Sequence, residues 1–146
     1  MGPHTDGSDR TEQEEYLLRA EYDLDGDDGC VARARRHAAA FLDRARDDHR
    51  RDVSARVREL SSLVVSELVT NARKYAPGPV RMELRLGADG MDIIVRDGNP
   101  AFPVLWATDA DRVGRHGLEI VEAVTAALLV DPEPAGKRVT ARLSLR

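Results

Sequence analysis

Between Val80 and Asp97 the sequence reads VRMELRLGADGMDIIVRD, and this stretch decides the fold. Apolar residues alternate with other residues on both sides of the GADG segment at 87–90. Alternation with a period of two predicts half-buried strands, and a short glycine-containing segment between two such runs predicts a hairpin turn. The stretch therefore predicts two adjacent antiparallel strands that share one core-facing side.

Two helices are predicted ahead of this hairpin. Apolar residues recur at steps of three and four over 31–46 and again over 53–75, which is the spacing of amphipathic helices. The second helix is expected to stop at Pro77, because proline lacks an N–H donor and clashes with the preceding turn. Still earlier, apolar residues at alternate positions predict a strand over 15–23.

The C-terminal part predicts a loop, a helix and two further strands. The loop at 98–113 shows no periodicity, which is typical of a functional or mobile segment. A helix is predicted over 117–127, a strand beginning at 128–130, a turn over 131–136, and a last strand over 139–145. This order predicts an α+β fold, a two-layer α/β sandwich with helices on one face of a mixed, mostly antiparallel sheet.

The length and composition favour one domain inside a cell. The 146 residues are 42% apolar and 33% charged, and they carry a net charge of −4. Residues 1–13 are polar and predicted to be disordered, and 14–146 are predicted to form the domain. We expect no signal peptide and no membrane span, because no apolar run of suitable length occurs. With Cys30 alone there is no internal disulfide, and the cytoplasm is the expected compartment.

Arginines are concentrated over residues 30–58, which hold nine arginines and four aspartates. Such a block can contact nucleic acid, or it can form a solvated helix face. We favour the solvated face, because the aspartates are interleaved with the arginines and the chain as a whole is acidic. Direct binding to nucleic acid is therefore not expected.

The first stretch whose residues could take part in catalysis or ligand binding is SELVTNARKYA at 66–76. Glu67 and Asn71 are four residues apart and share one helix face, and Lys74 follows on the same side. A carboxylate there can orient or deprotonate a hydroxyl, and an amide oxygen can ligate magnesium. The same residues would also suit a surface Glu–Lys pair beside a capping asparagine, and both interpretations stay open.

Two further stretches have a functional and a purely structural interpretation. Asp97 ends a hydrophobic strand just before Gly98, so it either accepts a hydrogen bond from an amine such as that of adenine or simply ends the strand at a turn. The GRHGLEIV segment at 114–121 places glycines at a helix start. Backbone N–H groups there can approach a phosphate, although glycines are also common in connectors.

Taken in order, the three stretches resemble the GHKL, or histidine-kinase-like, ATPase family, whose ATP-binding domain is known as the Bergerat fold. The resemblance covers about residue 15 to the end and includes a final strand with Gly136, Lys137 and Val139. The SELVTNA sequence at 66–72 is most similar to the small single-domain branch that contains the anti-sigma-factor serine kinases.

This resemblance implies ATP and Mg²⁺ as cofactors. Glu67 would be the general base toward the hydroxyl of a protein serine or of water, and Asn71 would ligate the magnesium. Asp97 would hold the adenine amine. The other nucleotide-binding positions would be Lys74, Gly98, Gly114, Arg115, His116, Gly117, Leu118 and Thr140.

The resemblance also implies partners. The chain would be a serine/threonine protein kinase that binds a sigma factor and phosphorylates an anti-anti-sigma antagonist, without contacting nucleic acid or membrane; a homodimer is compatible with it. Asn99 and Ala101 stand where the family has glycines, and His116 stands where arginine is common, so weaker nucleotide binding is expected. The alternative is a regulatory module that binds nucleotide weakly or not at all and sequesters a partner.

A few isolated residues have less specific interpretations. Cys30 is expected to be a buried small residue rather than a low-pKa thiol. His37 and His49 are expected on the solvated surface. Trp106 and Phe102 would either anchor a partner or pin the loop to the core, and the sequence does not separate these roles.

Overall fold

A computed structural model of the chain describes residues 16–75, 78–98 and 119–145. The predicted tail at 1–13 and nearly all of the predicted loop at 98–113 lie outside these residues, with Trp106 and Phe102. Residues 119–124 are helical. The other elements are β1 (Leu18–Leu24), α1 (Cys30–His49), α2 (Ala55–Tyr75), β2 (Val80–Leu86), β3 (Gly90–Asp97), β4 (Ala127–Glu133) and β5 (Gly136–Ser144).

The strands form one sheet in the order β1-β2-β3-β5-β4. Each of the four pairings between described strands is antiparallel, so the described sheet is wholly antiparallel rather than mixed. The hairpin predicted from 80–97 is present as β2 and β3, with Leu86 opposite Met91. β1 and β4 are the two edges of the sheet that the described strands form.

The helices lie on one face of the sheet, as predicted. α1 packs on β1 and β2, and α2 packs on β3 and β5. Because successive strand residues point to opposite faces, every second residue enters the core between the layers. The buried strand residues in that core include Met82, Leu84, Ile93, Val95 and Ala141. The α+β, two-layer sandwich prediction is therefore confirmed for the described residues.

The other face of the sheet is held by ion pairs. Glu83 is fully buried there and accepts hydrogen bonds from Arg19, Arg85 and Arg96. Farther along β3, Asp92 receives two hydrogen bonds from Arg142, at 2.7 and 3.0 Å. Each carboxylate is thus paired with guanidinium groups on its own or on neighbouring strands, and this pairing offsets the cost of burying the charge.

Several element boundaries differ from the prediction. β1 spans Leu18–Leu24 rather than 15–23, and the last helix ends at 124 rather than at 127. β4 continues to Glu133 through Pro132, where a turn was predicted, because β4 is an edge strand and an edge tolerates a residue without an N–H donor. β5 begins at Gly136 rather than at 139. α1 extends past the predicted end at 46 to His49, and Arg50 then closes it in the left-handed conformation, φ 54°.

The predictions for the isolated residues agree with the structure in part. Cys30 is buried as predicted, and burial raises the pKa of its thiol even though Arg73 and Arg33 act to lower it. His49 is exposed as predicted. His37, predicted on the solvated surface, is half-buried, and its ring stacks on Tyr22. No described helix has both the length and the apolar character that crossing a membrane requires.

Candidate functional site

The C-terminal end of α2 and the Asp97 end of β3 lie at the same end of the sheet. Leu24 lies opposite Val80, and Asp97 lies opposite Lys137. Because Arg81 pairs with Arg96, Val80 and Asp97 are at the same end of β2 and β3, and all four residues therefore lie at one end of the sheet. α2 ends at Tyr75, only five residues before β2 begins there. The last turns of α2 therefore lie above the end of β3 that carries Asp97.

Glu67, Asn71 and Lys74 lie on one flank of α2. The opposite flank contacts α1, where Arg35 donates to Ser66 Oγ at 3.1 Å. The core-facing side between the two flanks is apolar, and it is formed by Val64, Val65, Leu68, Val69 and Ala72. Helical spacing thus turns the three polar residues away from α1 and toward the β5 side of the domain.

These three side chains differ in their exposure. Asn71 borders the core and is only 7% exposed, Glu67 is half-buried, and Lys74 is exposed. Among the described residues Glu67 makes no hydrogen bond or ion pair. A half-buried carboxylate one turn from a buried amide can accept a proton or a hydrogen bond from an incoming hydroxyl group.

The amide oxygen of Asn71 is an exception to the usual satisfaction of buried polar groups. Asn71 Oδ1 is buried and has no hydrogen-bond partner among the described residues. A buried oxygen without a partner costs about 1–3 kcal/mol, so native structures contain few of them. An uncompensated amide oxygen is also a good ligand for a hard cation such as magnesium.

Asp97 forms a buried ion pair that the sequence analysis did not identify. Lys137 Nζ lies 3.0 Å from each oxygen of the Asp97 carboxylate, and both side chains are 1% exposed. The signal was present in the sequence, because Lys137 starts the core-facing series that continues with Val139, Ala141 and Leu143. A charged residue on a buried strand face requires a charged partner, and Asp97 is directly opposite.

Gly136 allows the two strands to come this close. Its φ is 156°, and a Cβ atom there would lie 1.9 Å from the carbonyl oxygen of Asp97. Any side chain at 136 would therefore push β5 away from the end of β3. The glycine before Lys137 thus helps to position the ion pair.

The structure does not bring all the predicted residues together. Gly98 directly follows Asp97 and is exposed. Thr140 lies opposite Ile94, so strand alternation places it on the sheet face away from the helices, whereas Asp97 lies on the helix-covered face. Gly114, Arg115, His116, Gly117 and Leu118 lie outside the described residues.

The described site consists of a helix flank with Glu67 and Asn71, and of the buried Asp97–Lys137 pair at the adjacent sheet end. A scan against protein-family models finds no matching family, and a search of curated proteins finds no match either. The chemistry of the side chains therefore carries the functional argument. They combine a proton acceptor, an amide ligand for a cation, and a paired hydrogen-bond acceptor and donor.

Proposed function

We propose that this chain is an ATP-binding serine/threonine protein kinase of the anti-sigma-factor type, built on the Bergerat fold. It would regulate transcription by binding a sigma factor and phosphorylating an anti-anti-sigma antagonist. The observation that carries the proposal is the buried Oδ1 of Asn71, which has no hydrogen-bond partner among the described residues and lies one helical turn from Glu67. The resemblance of 66–72 and 97–98 to the GHKL family supports the same interpretation.

Magnesium fits the Asn71 site by the chemistry of its ligand. The amide oxygen is neutral and hard, and it is not already used by a hydrogen bond from a described residue. When bound, Mg²⁺ neutralises part of the phosphate charge of ATP. Lys74, three residues farther along the flank, would add a positive charge beside the phosphates.

Glu67 would act on the proton of the attacking hydroxyl group. The serine oxygen of the antagonist forms a bond to the γ-phosphorus, and the bond from that phosphorus to the bridging oxygen breaks, which releases ADP. Glu67 takes the hydroxyl proton. Its half-buried position would limit the access of water, which would otherwise compete with serine as phosphoryl acceptor.

Asp97 would recognise the base. Its carboxylate lies at the end of β3 on the helix-covered face, where it would accept a hydrogen bond from the exocyclic amine of adenine. Burial strengthens such a hydrogen bond because it excludes competing water.

Calorimetric titration with ADP, in the presence of magnesium and in the presence of EDTA, tests whether the protein binds nucleotide and whether binding depends on magnesium. We expect binding by the wild-type protein, a loss of at least tenfold in affinity for Asp97→Asn, and loss of the magnesium dependence alone for Asn71→Ala. Asp92→Asn is the matched control, because Asp92 lies on the same strand but pairs with Arg142 on the other face. Absence of ADP binding by the wild-type protein would refute the proposal.

Phosphoryl transfer needs a separate test. Radiolabelled phosphate from ATP should appear on a serine of an anti-anti-sigma protein. Glu67→Gln should bind ADP as the wild type does but lose transfer by about 100-fold or more. If Glu67→Gln transfers phosphate normally, Glu67 is not the general base.

A second candidate function is a partner-sequestering module with little affinity for nucleotide. The specific observation in its favour is that Lys137 already neutralises both oxygens of Asp97, at 3.0 Å each. In that case the Asp97 carboxylate stabilises the sheet through its pairing with Lys137 and does not bind adenine. The same titrations separate the two functions, because this module would bind a sigma factor tightly without binding ADP.

A further inference from the structure

One flank of α1 lies above the free edge of β1. In the sheet that the described strands form, β1 has a neighbour only on its β2 side, and α1 packs on both of these strands. The opposite flank of α1 contacts α2, where Arg35 donates to Ser66 Oγ. Just past the C-terminus of α1, Arg51 donates to Ala88 O in the turn beside the start of β1, so α1 runs back along β1. The flank turned away from α2 therefore follows the free edge of β1.

Two arginines on α1 stand on either side of the contact between this flank and β1. The contact is the stack of Tyr22 and His37. Burial and then the charge of Arg36 lower the pKa of His37. For Tyr22, the charge of Arg44 opposes the rise in pKa that burial causes. The two guanidinium groups therefore lie near the stacked rings, one before and one after His37 along α1.

No described carboxylate neutralises Arg36 or Arg44. Both side chains are exposed, and neither forms an ion pair with a described residue. The arginines on the sheet face away from the helices differ, because each of them pairs with a carboxylate: Arg19, Arg81, Arg85, Arg96, Arg138 and Arg142. Arg36 and Arg44 can therefore bind carboxylates of another molecule without breaking an existing ion pair.

We propose that the free edge of β1 and this flank of α1 bind an extended acidic segment of a partner protein. The segment adds to the sheet as a strand beside β1 and places two carboxylates, four residues apart, on Arg36 and Arg44. Half of the N–H and C=O groups of an edge strand point away from its sheet, so β1 supplies the backbone hydrogen bonds. The inference goes beyond the proposed function, because Glu67 and Asn71 lie on the flank of α2 that is turned away from α1.

The spacing of the two arginines fits alternate residues of a strand. They are eight residues apart, which is about 12 Å along a helix axis. Residues four apart on a strand lie on one face, about 13 Å from each other. An apolar residue midway between the two carboxylates would pack on the Tyr22–His37 stack. The preferred segment therefore alternates acidic, apolar and acidic residues at every second position.

The charges of β1 itself decide which occupant fits. Glu21 and Asp23 are exposed on the sheet face away from the helices, so they repel carboxylates or phosphates placed there. Nucleic acid carries a phosphate at every nucleotide and cannot avoid this repulsion. A second copy of β1 would turn only uncharged residues toward Arg36 and Arg44, namely Leu18, Ala20, Tyr22 and Leu24. An acidic protein segment with its carboxylates on the helix side satisfies both constraints.

Fluorescence anisotropy with two labelled heptapeptides tests the surface. Thr-Glu-Thr-Leu-Thr-Glu-Thr has the proposed spacing. Glu-Thr-Thr-Leu-Thr-Thr-Glu has the same composition, but strand alternation places its acids on the face opposite its leucine. We expect the wild-type protein to bind the first peptide about tenfold more tightly than the second. Equal affinities, or no binding of the first peptide at about 1 mM protein, would overturn the proposal.

Substitution of the arginines tests the two charged contacts. Arg36→Gln and Arg44→Gln should each weaken binding of the first peptide about two- to fivefold, the range for an exposed ion pair, and the double variant about tenfold. Arg56→Gln is the matched control, because Arg56 is exposed on α2 and also forms no ion pair with a described residue. It should bind as the wild type does. An unchanged affinity of the double variant would show that the inference is wrong.

N-methylation of the peptide backbone tests whether the segment adds as a strand. Successive N–H groups of a strand point in opposite directions, so only every second one can donate to β1. Two versions of the first peptide, methylated either at the leucine nitrogen or at the nitrogen of the next threonine, should therefore differ in affinity by about tenfold. Equal affinities would contradict strand addition.

Two further measurements identify other occupants. If an oligothymidine displaces the peptide and its own binding depends on Arg36 and Arg44, the surface binds nucleic acid and the inference is wrong. Sedimentation that shows a dimer of the wild-type protein, dissociated by the peptide, would assign the β1 edge to a second copy and would also overturn it. A monomer that binds the peptide and not the oligothymidine supports the proposal.

Discussion

The rings of Tyr22 and His37 stack, with centroids 4.3 Å apart and planes inclined by 18°. This contact joins edge strand β1 to α1 and half-buries both rings. Burial lowers the pKa of His37, and the charges of Arg36 and Arg33 lower it further. Burial raises the pKa of Tyr22, although Arg44 acts in the opposite direction.

Stability should rise with pH through the range in which His37 loses its proton. Because the folded-state pKa of His37 is below that of the unfolded chain, about 6.5, the unfolded chain binds more protons in this range. The contribution of His37 to the free energy of unfolding is therefore complete above about pH 6.5, and it is lost as the pH falls toward the folded-state pKa. Urea unfolding of the wild type and of His37→Phe between pH 5.5 and 8 measures it.

We expect His37→Phe to retain the stack on Tyr22 and to flatten the pH dependence. His49→Gln is the control, because His49 is exposed at the end of α1 and should leave the wild-type profile unchanged. An identical pH dependence in His37→Phe and the wild type would show that the stacked ring does not contribute.

Gly136→Ala should lower the free energy of unfolding by about 2 kcal/mol or more. The new Cβ would overlap the carbonyl oxygen of Asp97 at 1.9 Å, and backbone cannot move aside as a side chain can. Gly98→Ala is the matched control at the adjacent end of β3, since its nearest contact would be an ordinary 3.7 Å to Ala135 O. Denaturant unfolding compares them, and similar stability of the two variants would contradict the close approach.

Glu83→Gln should destabilise the sheet by about 3 kcal/mol, because a neutral amide no longer compensates the three guanidinium groups around it. Burial alone would raise the pKa of Glu83, but the hydrogen bonds from Arg85, Arg19 and Arg96 outweigh it and lower the pKa.

This carboxylate therefore stabilises the fold above the unfolded-state pKa, about 4.3, and the stabilisation is lost as the pH falls through the lower folded-state value. Acid titration should show a shallower loss of stability for Glu83→Gln than for the wild type. Glu21→Gln serves as the control, because Glu21 pairs with Arg19 at the surface and should cost less than about 1 kcal/mol. Equal costs for the two variants would refute the role of the buried carboxylate.

Asn71→Leu should stabilise the ligand-free protein by about 1 kcal/mol and abolish magnesium-dependent ADP binding. The substitution removes a buried oxygen that has no hydrogen-bond partner among the described residues and replaces it with apolar atoms of similar size. Thr70→Leu, at the exposed neighbouring position, should change neither property appreciably. Thermal melts and titrations together measure both, and a destabilised Asn71→Leu would indicate that the amide has a structural role.

Local patterns predicted the elements well but their ends less well. The alternation over 80–97 and the spacing over 53–75 reflect one-sided burial, which leaves a direct trace in the order of residues. The continuation of β4 through Pro132 was missed, because a proline is acceptable only at a sheet edge and the order of strands decides which strand is an edge.

By itself, the sequence determined the helix flank shared by Glu67 and Asn71, because helical geometry relates residues that are four apart without help from the rest of the chain. Only the tertiary structure decided that Lys137, and not Thr140, shares a sheet face with Asp97. Pairing between strands that are distant in the sequence sets their register, and a shift of one residue would have turned the opposite set of side chains toward the helices.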